Sequence, residues 1–322
     1  MAPANASFDA LVTTTLKNYR KVLSDNITGH QALWYQMKAK GFIREDEGGT
    51  SIVEPLLTGT NSTVRSFSGY DIIDTTPQEG ISAAEFSWKQ IAGSVSISGE
   101  EEFKNSGSKT KILSLLEAKL TQLEESMKLV LNEQLFGDGT ANSGKDLTGL
   151  ALAVEEGTAW STYGGIDSSL AANAFWRNQW LGTVGSFAAN GLDTWRTLFN
   201  SASRSSSKPT LIVTTQAVFE AYEKSLTVNE RFTDMKLGDA GFQNLLYKAT
   251  PIVFDEDAQS GYTYFLNADF LRFVIGKGRN FVNTPFQKPE NQEAKVSQVI
   301  LYGNLTCNNR ARQAVATGIT TP

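Results

Sequence analysis

Apolar and polar positions alternate along this chain with two periods, and the changes of period divide it into parts. Phe8, Leu11, Val12, Leu16, Tyr19 and Leu23 recur at three-to-four spacing, with Lys17, Arg20 and Lys21 mostly off the stripe. That spacing predicts an amphipathic helix with one face docked on a partner surface. After a break at Asp25-Asn26, Thr28 stands three residues before Gln31, a capping-box arrangement that opens a short helix through Leu33, Trp34 and Met37 to a stop at Gly41. From Glu45 to Gly107 the pattern becomes strand and turn. Val64–Ile73 and Gly80–Ser98 are rich in Ser, Thr, aromatic and β-branched residues and flank the breaker cluster Asp74-Thr-Thr-Pro-Gln-Glu79. A long hairpin with its tip near Pro77 is predicted. Ala84, Phe86 and Trp88 share one face while Val95 and Ile97 take the opposite phase, which predicts a bulge or twist near Gly93. With about 15 residues of each arm extended, the hairpin would reach roughly 50 Å at ~3.3 Å per residue. An isolated ribbon of that length is marginal in water. Phe67, Tyr70, Ile72, Phe86 and Trp88 are therefore expected to pack on a neighbouring subunit.

The strongest helical stripe follows. Ile112, Leu116, Leu120, Leu123, Met127, Val130 and Leu135 mark one face, with Ser108 as the expected cap and Phe136-Gly137 as the stop. Lys109–Leu135 would be a rod of roughly 40 Å at 1.5 Å per residue, with Glu124 and Lys128 as an exposed i,i+4 pair. Leu113, Leu115, Leu129 and Leu131 broaden the stripe beyond a coiled-coil seam, so packing against a sheet is expected. Beyond Gly149 short helices, strands and Gly/Ser loops are mixed. Thr210–Thr215 reads as a buried strand, with Thr214 or Thr215 capping a helix through Val218, Phe219, Tyr222 and Leu226. Pro251–Phe254, Tyr262–Leu266 and Phe270–Ile275 are further strands. Val299, Leu301, Leu305 and Cys307 then alternate in phase, which places Cys307 on an apolar face as a buried structural thiol.

Composition narrows the chemistry. The chain has 322 residues, 40% hydrophobic and 20% charged, which is enough for one large or two modest domains. A net charge of -5 argues against a dedicated nucleic-acid binder held by phosphate contacts. With one His (His30, read as a solvated helix-start residue) and one Cys, the chain alone can build neither a disulfide nor a four-ligand Cys/His zinc site. No apolar run approaches the ~18 residues of a membrane span. The start lacks the basic and apolar regions of a signal peptide, so synthesis in the cytoplasm is expected. Residues 1–44 carry six Lys/Arg against two Asp/Glu, a charge of +4, and residues 45–107 carry three against eleven, a charge of -8. Charge alone leaves open whether these are surfaces that meet between copies or two solvated faces.

The candidate chemical motifs are weak. Gly139-Thr-Ala-Asn-Ser-Gly-Lys145 has the G-x-x-x-x-G-K spacing, but it follows a helix and residue 146 is Asp where the Mg²⁺-binding hydroxyl should stand. Asp255-Glu256-Asp257 lacks calcium-loop spacing and reads as a solvated loop tip. Trp176 and Trp180, with Phe175, read as core or interface aromatics. Composition leaves a paired-acid hydrolase open, yet no spacing nominates a pair. No catalytic, cofactor or metal residue is nominated.

The order of parts, together with several segments, resembles the tailed-bacteriophage major capsid proteins of the HK97-like fold. The segments are His30-Gln-Ala-Leu-Trp-Tyr-Gln-Met-Lys38, Phe136-Gly-Asp-Gly-Thr140 with Leu147-Thr-Gly-Leu150, Trp176-Arg-Asn-Gln179, Leu211–Tyr222, and Tyr302-Gly-Asn-Leu305 with Asn309-Arg-Ala-Arg-Gln313. The resemblance implies an α+β fold. Residues 1–44 would form an N-terminal arm and 45–107 an extended β-hairpin loop lying across the adjacent subunit. Residues 108–155 would form a peripheral domain with a long spine helix, 156–290 a mixed α/β axial domain, and 291–322 the return strands of the peripheral domain. It further implies a coat protein, not an enzyme, that assembles into hexamers and pentamers of an icosahedral virion shell around double-stranded DNA. Portal, cement and scaffolding proteins are the implied partners, with no cofactor and no membrane. The arm begins at once, so any scaffold is expected as a separate chain. Some members cross-link a hairpin Lys to a neighbour's Asn; here no Lys lies between Val64 and Trp88 and Lys89 is well down the returning arm, which implies a non-covalent shell. An encapsulin-type nanocompartment would share the fold. A surface-layer or adhesive protein and a cytosolic carboxylate enzyme are the remaining, less favoured readings.

Overall fold

A computed structural model describes residues 32–104, 109–157, 160–205, 207–226 and 245–321. The expected first helix, His30, the Thr28/Gln31 capping box and the Ser108 cap lie outside these residues. The second helix of the arm, α1 (Ala32–Ala39), forms as its spacing predicts and buries Leu33 and Met37. Then come β1 (Ile43–Asp46), β2 (Ile52–Leu57), β3 (Ile81–Phe86), β4 (Lys89–Ser98) and the long helix α2 (Lys109–Phe136). The two main sheets and their helices then draw on β5 (Gln179–Leu181), α3 (Leu192–Ala202), β6 (Leu211–Thr214), α4 (Gln216–Ser225), β7 (Leu245–Tyr247), β8 (Thr250–Phe254) and β9 (Thr263–Leu266). They also include β10 (Leu271–Gly276), β11 (Val282–Asn283), β12 (Ala294–Cys307) and β13 (Ala314–Ala316), with shorter elements between.

Two sheets organise these parts. In the first, β1 pairs β10 in parallel, β10 pairs β12, and β12 also pairs β11 and β4. The second has the order β7-β8-β6-β9-β13-β5. The sheets cut across the expected division at 290/291. Strands β10 and β11 precede it yet belong to the first sheet, while β13 follows it and completes the second, between β9 and β5. The chain crosses between sheets at both places, because the apolar runs 271–276 and 314–316 each find their partners on the other side.

The second sheet is a shared wall. Successive strand residues point to opposite faces, and here both faces are covered. Ile212, Ile252, Phe265, Ala314 and Ala316 join a core with Trp195, Phe199 and Tyr222 of α3 and α4. Leu211, Val213, Val253, Tyr264, Leu266 and Val315 join the core under the first sheet. This double burial explains why β6 is an unbroken apolar run instead of an alternating one. Thr215 occupies the N-cap position of α4 with extended backbone but makes no side-chain cap bond, a correction to its expected role.

Helix α2 packs along β4, as a broad apolar stripe predicts. Its exposed pair is Lys128 with Glu125, 2.6 Å, in place of Glu124. Val130 is exposed, and Leu131 takes the buried position. The bulge expected at Gly93 is absent: β4 and β12 stay paired residue by residue from Ser98–Ala294 to Lys89–Gly303. The change of phase falls instead between β3 and β4, at Ser87-Trp88. Gly93 serves another purpose, since a Cβ there would sit 2.4 Å from Leu123 Cδ1; its missing side chain lets the helix approach the sheet.

Where the chain leaves β12 for β13, Arg310 is fully buried. Its Nε donates to the Ala153 carbonyl at 2.9 Å and Nη1 to Ser168 Oγ at 3.2 Å. Nη2 donates to the Leu152 carbonyl at 3.1 Å and to Glu155 Oε1 at 2.9 Å. The guanidinium lies over the Tyr163 ring at 5.1 Å. A planar fork with five donors suits this cage where an ammonium would not. Glu155 in turn accepts from the Ser161 backbone N–H and from the Ser168 hydroxyl.

Two stability outcomes follow from these contacts. Arg310→Met leaves Glu155 buried without its counter-charge and should lose about 3–5 kcal/mol. Gly93→Val should lose about 1–3 kcal/mol by overpacking against Leu123. Equilibrium urea denaturation of each variant against the parent protein measures both.

Candidate functional site

The surface feature that stands out is the hairpin and the loop it carries. Strands β2 and β3 pair from Ile52–Phe86 to Leu57–Ile81. Beyond them Thr58 N–H bonds the Gly80 carbonyl at 2.8 Å, and residues 59–80 form an irregular loop. The first arm of the ribbon is therefore Ile52–Leu57, not Val64–Ile73, and each arm is far shorter than predicted. Pro55 tolerates its place because the two-stranded ribbon leaves each strand an unpaired side. Val64–Ile73 has strand-forming composition, but among the described residues no other segment lies in register with it. Local turns hold it instead: Arg65 Nη2 donates to the Ile72 carbonyl at 2.7 Å, the Ser68 N–H to Asp71 Oδ2 at 2.9 Å, and the Thr76 N–H to Asp74 Oδ1 at 3.0 Å. The two Thr76 bonds hold the Asp74 carboxyl below its ordinary range.

The five residues expected at a subunit interface separate into two groups. Phe67, Tyr70 and Ile72 are 65%, 106% and 85% exposed, and Val64, Ile73, Leu57 and Ile81 are exposed with them. Phe86 is instead covered by its own chain, which corrects its expected role, and Trp88 is half-buried against it. Phe86 is 4% exposed and meets Tyr163 edge-on at 4.9 Å; Trp88 stacks on Tyr302 at 5.2 Å. The reason is the face they occupy. Ile52, Glu54, Leu56, Ala84 and Phe86 form the inner side of the ribbon, which lies on the body of the molecule. Gly164, with φ +59, lets the turn after Tyr163 touch that side: the Glu85 N–H bonds the Gly164 carbonyl at 3.0 Å, and a Cβ on Gly164 would meet Phe86 Cζ at 2.8 Å. Glu54 is buried and accepts from Thr306 Oγ1 at 3.2 Å, with Arg44 Nη1 at 3.7 Å. The base of the hairpin is thus fixed and its loop is uncovered. Leu57 and Ile81 were missed as surface candidates; their strand alternation with Leu56 and Ala84 was the available signal.

The acidic cluster is not the solvated loop tip expected. Asp255 is buried, and it joins two distant helices to its own turn. Its Oδ2 accepts the Leu33 N–H in the first turn of α1 at 2.9 Å, a helix cap supplied from elsewhere in the chain. Its Oδ1 accepts Asn132 Nδ2 of α2 at 2.8 Å and the Asp257 N–H at 3.1 Å. Asp257 Oδ2 also accepts from Asn132 Nδ2, at 2.7 Å. A lone Asn within the apolar stripe of α2 was the sequence signal for this junction. Segment 139–145 cradles nothing: the Thr140 N–H is taken by Asp138 Oδ1 at 2.9 Å, and the Gly144 carbonyl accepts from Lys89 Nζ. Cys307 is buried on the apolar face as expected, and burial pushes its thiol up to about 12. Trp176 is core, donating Nε1 to the Tyr163 carbonyl at 2.9 Å. Among the described residues no group of three or more His, Cys, Asp or Glu side chains could hold a metal, and no helix is long and apolar enough to cross a membrane.

Burial raises the Asp255 carboxyl above its ordinary 3.8, with the Asp257 charge in the same sense, against the bonds from Leu33, Asp257 and Asn132. The protonated form is therefore favoured by folding. Its contribution to stability is fully present below pH 3.8 and is lost as pH rises through the raised folded-state value. The unfolding free energy of the parent protein minus that of non-titrating Asp255→Asn should accordingly grow between pH 7 and pH 4, as read by urea denaturation at each pH.

No family model and no curated protein matches the sequence. Solved structures do. A subunit of the cyanophage A-1(L) capsid asymmetric unit aligns with a TM-score of 0.73 at 15% identity over 95% of this chain and 98% of that one. The capsid of Myoviridae phage XM1 gives 0.59 at 12% over 94% and 97%. The holo-SrpI encapsulin complex from Synechococcus elongatus PCC 7942 gives 0.58 at 10% over 97% and 95%. The chain has the HK97-like capsid fold.

Proposed function

We propose that this chain is the major capsid protein of a tailed bacteriophage, building hexamers and pentamers of an icosahedral virion shell around double-stranded DNA. The observation that carries the reading is the loop at residues 58–80. Large apolar side chains there are uncovered in the single chain while the base of the hairpin is rigidly docked. Exposed apolar surface of this kind marks a contact with another protein. In a shell that contact is with the adjacent copy, and residues 45–107 serve as the extended loop that lies across it.

In the same reading α2 is the spine of a peripheral domain built on the first sheet, and the second sheet with α3 and α4 forms the axial domain around each capsomer axis. Scaffolding, portal and cement proteins complete the particle. The contacts between copies are individually modest, so that misplaced subunits dissociate before the shell closes, and the finished lattice gains its strength from multivalency. DNA is enclosed without sequence-specific contacts, in keeping with a net charge of -5. Lys89, the nearest hairpin lysine, is occupied at the Gly144 carbonyl, and the shell is non-covalent. An encapsulin-type shell shares the fold; the content of purified particles, DNA or a cargo enzyme, separates the two.

Replacing residues 60–79 by a short Asn-Gly turn should leave the circular dichroism spectrum and thermal midpoint near those of the parent chain, because Gly59 and Gly80 already lie side by side. It should abolish particles in negative-stain micrographs. Normal shells from that variant would overturn the reading.

A further inference from the structure

Beside the end of the β2/β3 ladder lies a groove of about 530 Å³ whose lining is aromatic and cationic and includes no carboxylate. Leu57, Trp160, Phe175 and Trp180 give it apolar surface, and Arg177 and Arg204 give it charge. Arg177 lies over the Trp160 ring at 5.5 Å and donates to the Ser168 and Ser169 carbonyls at 2.8 and 2.9 Å. Arg204 is exposed, and its carbonyl accepts Arg312 Nη1 at 2.7 Å, which places a third guanidinium beside the Arg204 backbone. Burial, and then the Arg204 charge, hold Arg312 below its ordinary pKa. Among the described residues none of the three arginines forms an ion pair.

The loop at 58–80 has the opposite character. It presents Phe67, Tyr70 and Ile72 uncovered, and it carries Asp71, Asp74 and Glu79 against Arg65 alone, a net charge of -2. It leaves the groove of its own chain open, since no residue from 58 to 80 lines it.

We infer that this groove is the seat of the same loop from a second copy of the chain, with its aromatic side chains against Trp160, Phe175 and Trp180 and its carboxylates facing Arg204 and Arg312. Loop and groove are different surfaces, so the contact is heterologous: each copy gives its loop to one neighbour and receives the loop of another, and the chain of contacts closes as a ring. Desolvated aromatic anchors supply most of the affinity in such a contact, and rim charges set approach and register. This inference rests on the shell-protein reading and adds to it the receiving surface.

Cysteine cross-linking tests it. Cys307, the single native cysteine, is buried with its thiol pushed up to about 12, so it will not compete. Particles of the double variant Tyr70→Cys with Phe175→Cys, mildly oxidised, should give covalent ladders ending in closed rings on a non-reducing denaturing gel, and each single variant should run as monomer. Particles that form but show no ladder overturn the groove assignment and leave the shell reading standing. Failure of the parent chain to form particles overturns both. Should the cysteine variants fail to assemble, Arg204→Glu, at an exposed position, is expected to weaken assembly, and adding Asp71→Arg is expected to restore it. Assembly unchanged by Arg204→Glu overturns the inference.

Discussion

The buried guanidinium of Arg310 is the constraint on which the rest of the architecture depends. It stands where the chain passes from the long strand of the first sheet to β13 of the second, and it bonds groups from residues 152 to 168. A charge in that position is tolerable only if hydrogen-bond acceptors surround it and a counter-charge lies beside it. The Ala153 and Leu152 carbonyls, Glu155 and Ser168 meet that condition together. The cage therefore fixes the segment from Ala153 to Asn178 against both sheets. Tyr163, Trp176 and the Gly164 turn are set by the same segment, and they in turn seat Phe86 and the base of the hairpin.

Asp255 plays a related part nearer the start of the described chain. One carboxylate caps α1, grips α2 through Asn132 and orders its own turn. The two junctions hold the body rigid, while the loop at 58–80 depends on turns made within itself. In the proposed shell, this division lets a fixed base keep the geometry common to all copies while the loop presents its apolar side chains for burial against a neighbour.

Much of the fold is legible in the apolar pattern, and the errors have definite physical causes. Helix α2, helix α4 and the alternation of Val299, Leu301, Leu305 and Cys307 are where periodicity places them, because each depends on a face fixed by its own spacing, and strand β6 is where its short apolar run places it. The hairpin was misplaced because Val64–Ile73 is rich in strand-forming residues, whereas strand formation needs a partner in register; Ile52–Leu57 has that partner despite Pro55. Of the five interface candidates, Phe67, Tyr70 and Ile72 are uncovered, and Phe86 and Trp88 turn inward. Which aromatic faces outward depends on what the ribbon lies upon, and residues from Tyr163 and Tyr302 decide that. The acidic triplet looked solvated for a similar reason. Leu33 and Asn132, which make the burial of Asp255 tolerable, lie more than a hundred positions away.

The sequence by itself determined the elements with a clear period, the absence of the Cys and His needed for common metal and disulfide chemistry, and the position of an acidic and aromatic segment ahead of the long helix. Those properties depend on residue type and near neighbours. Only the tertiary structure decided which strands share a sheet, that β10 and β13 cross the expected boundary, and that Arg310 and Asp255 are buried junctions. It also decided that the aromatic groove beside the hairpin carries arginines with no ion pair among the described residues. Each of these rests on polar and apolar groups brought together from distant parts of the chain. Their energies, unlike a helical stripe, are set by partners that spacing along the sequence does not reveal.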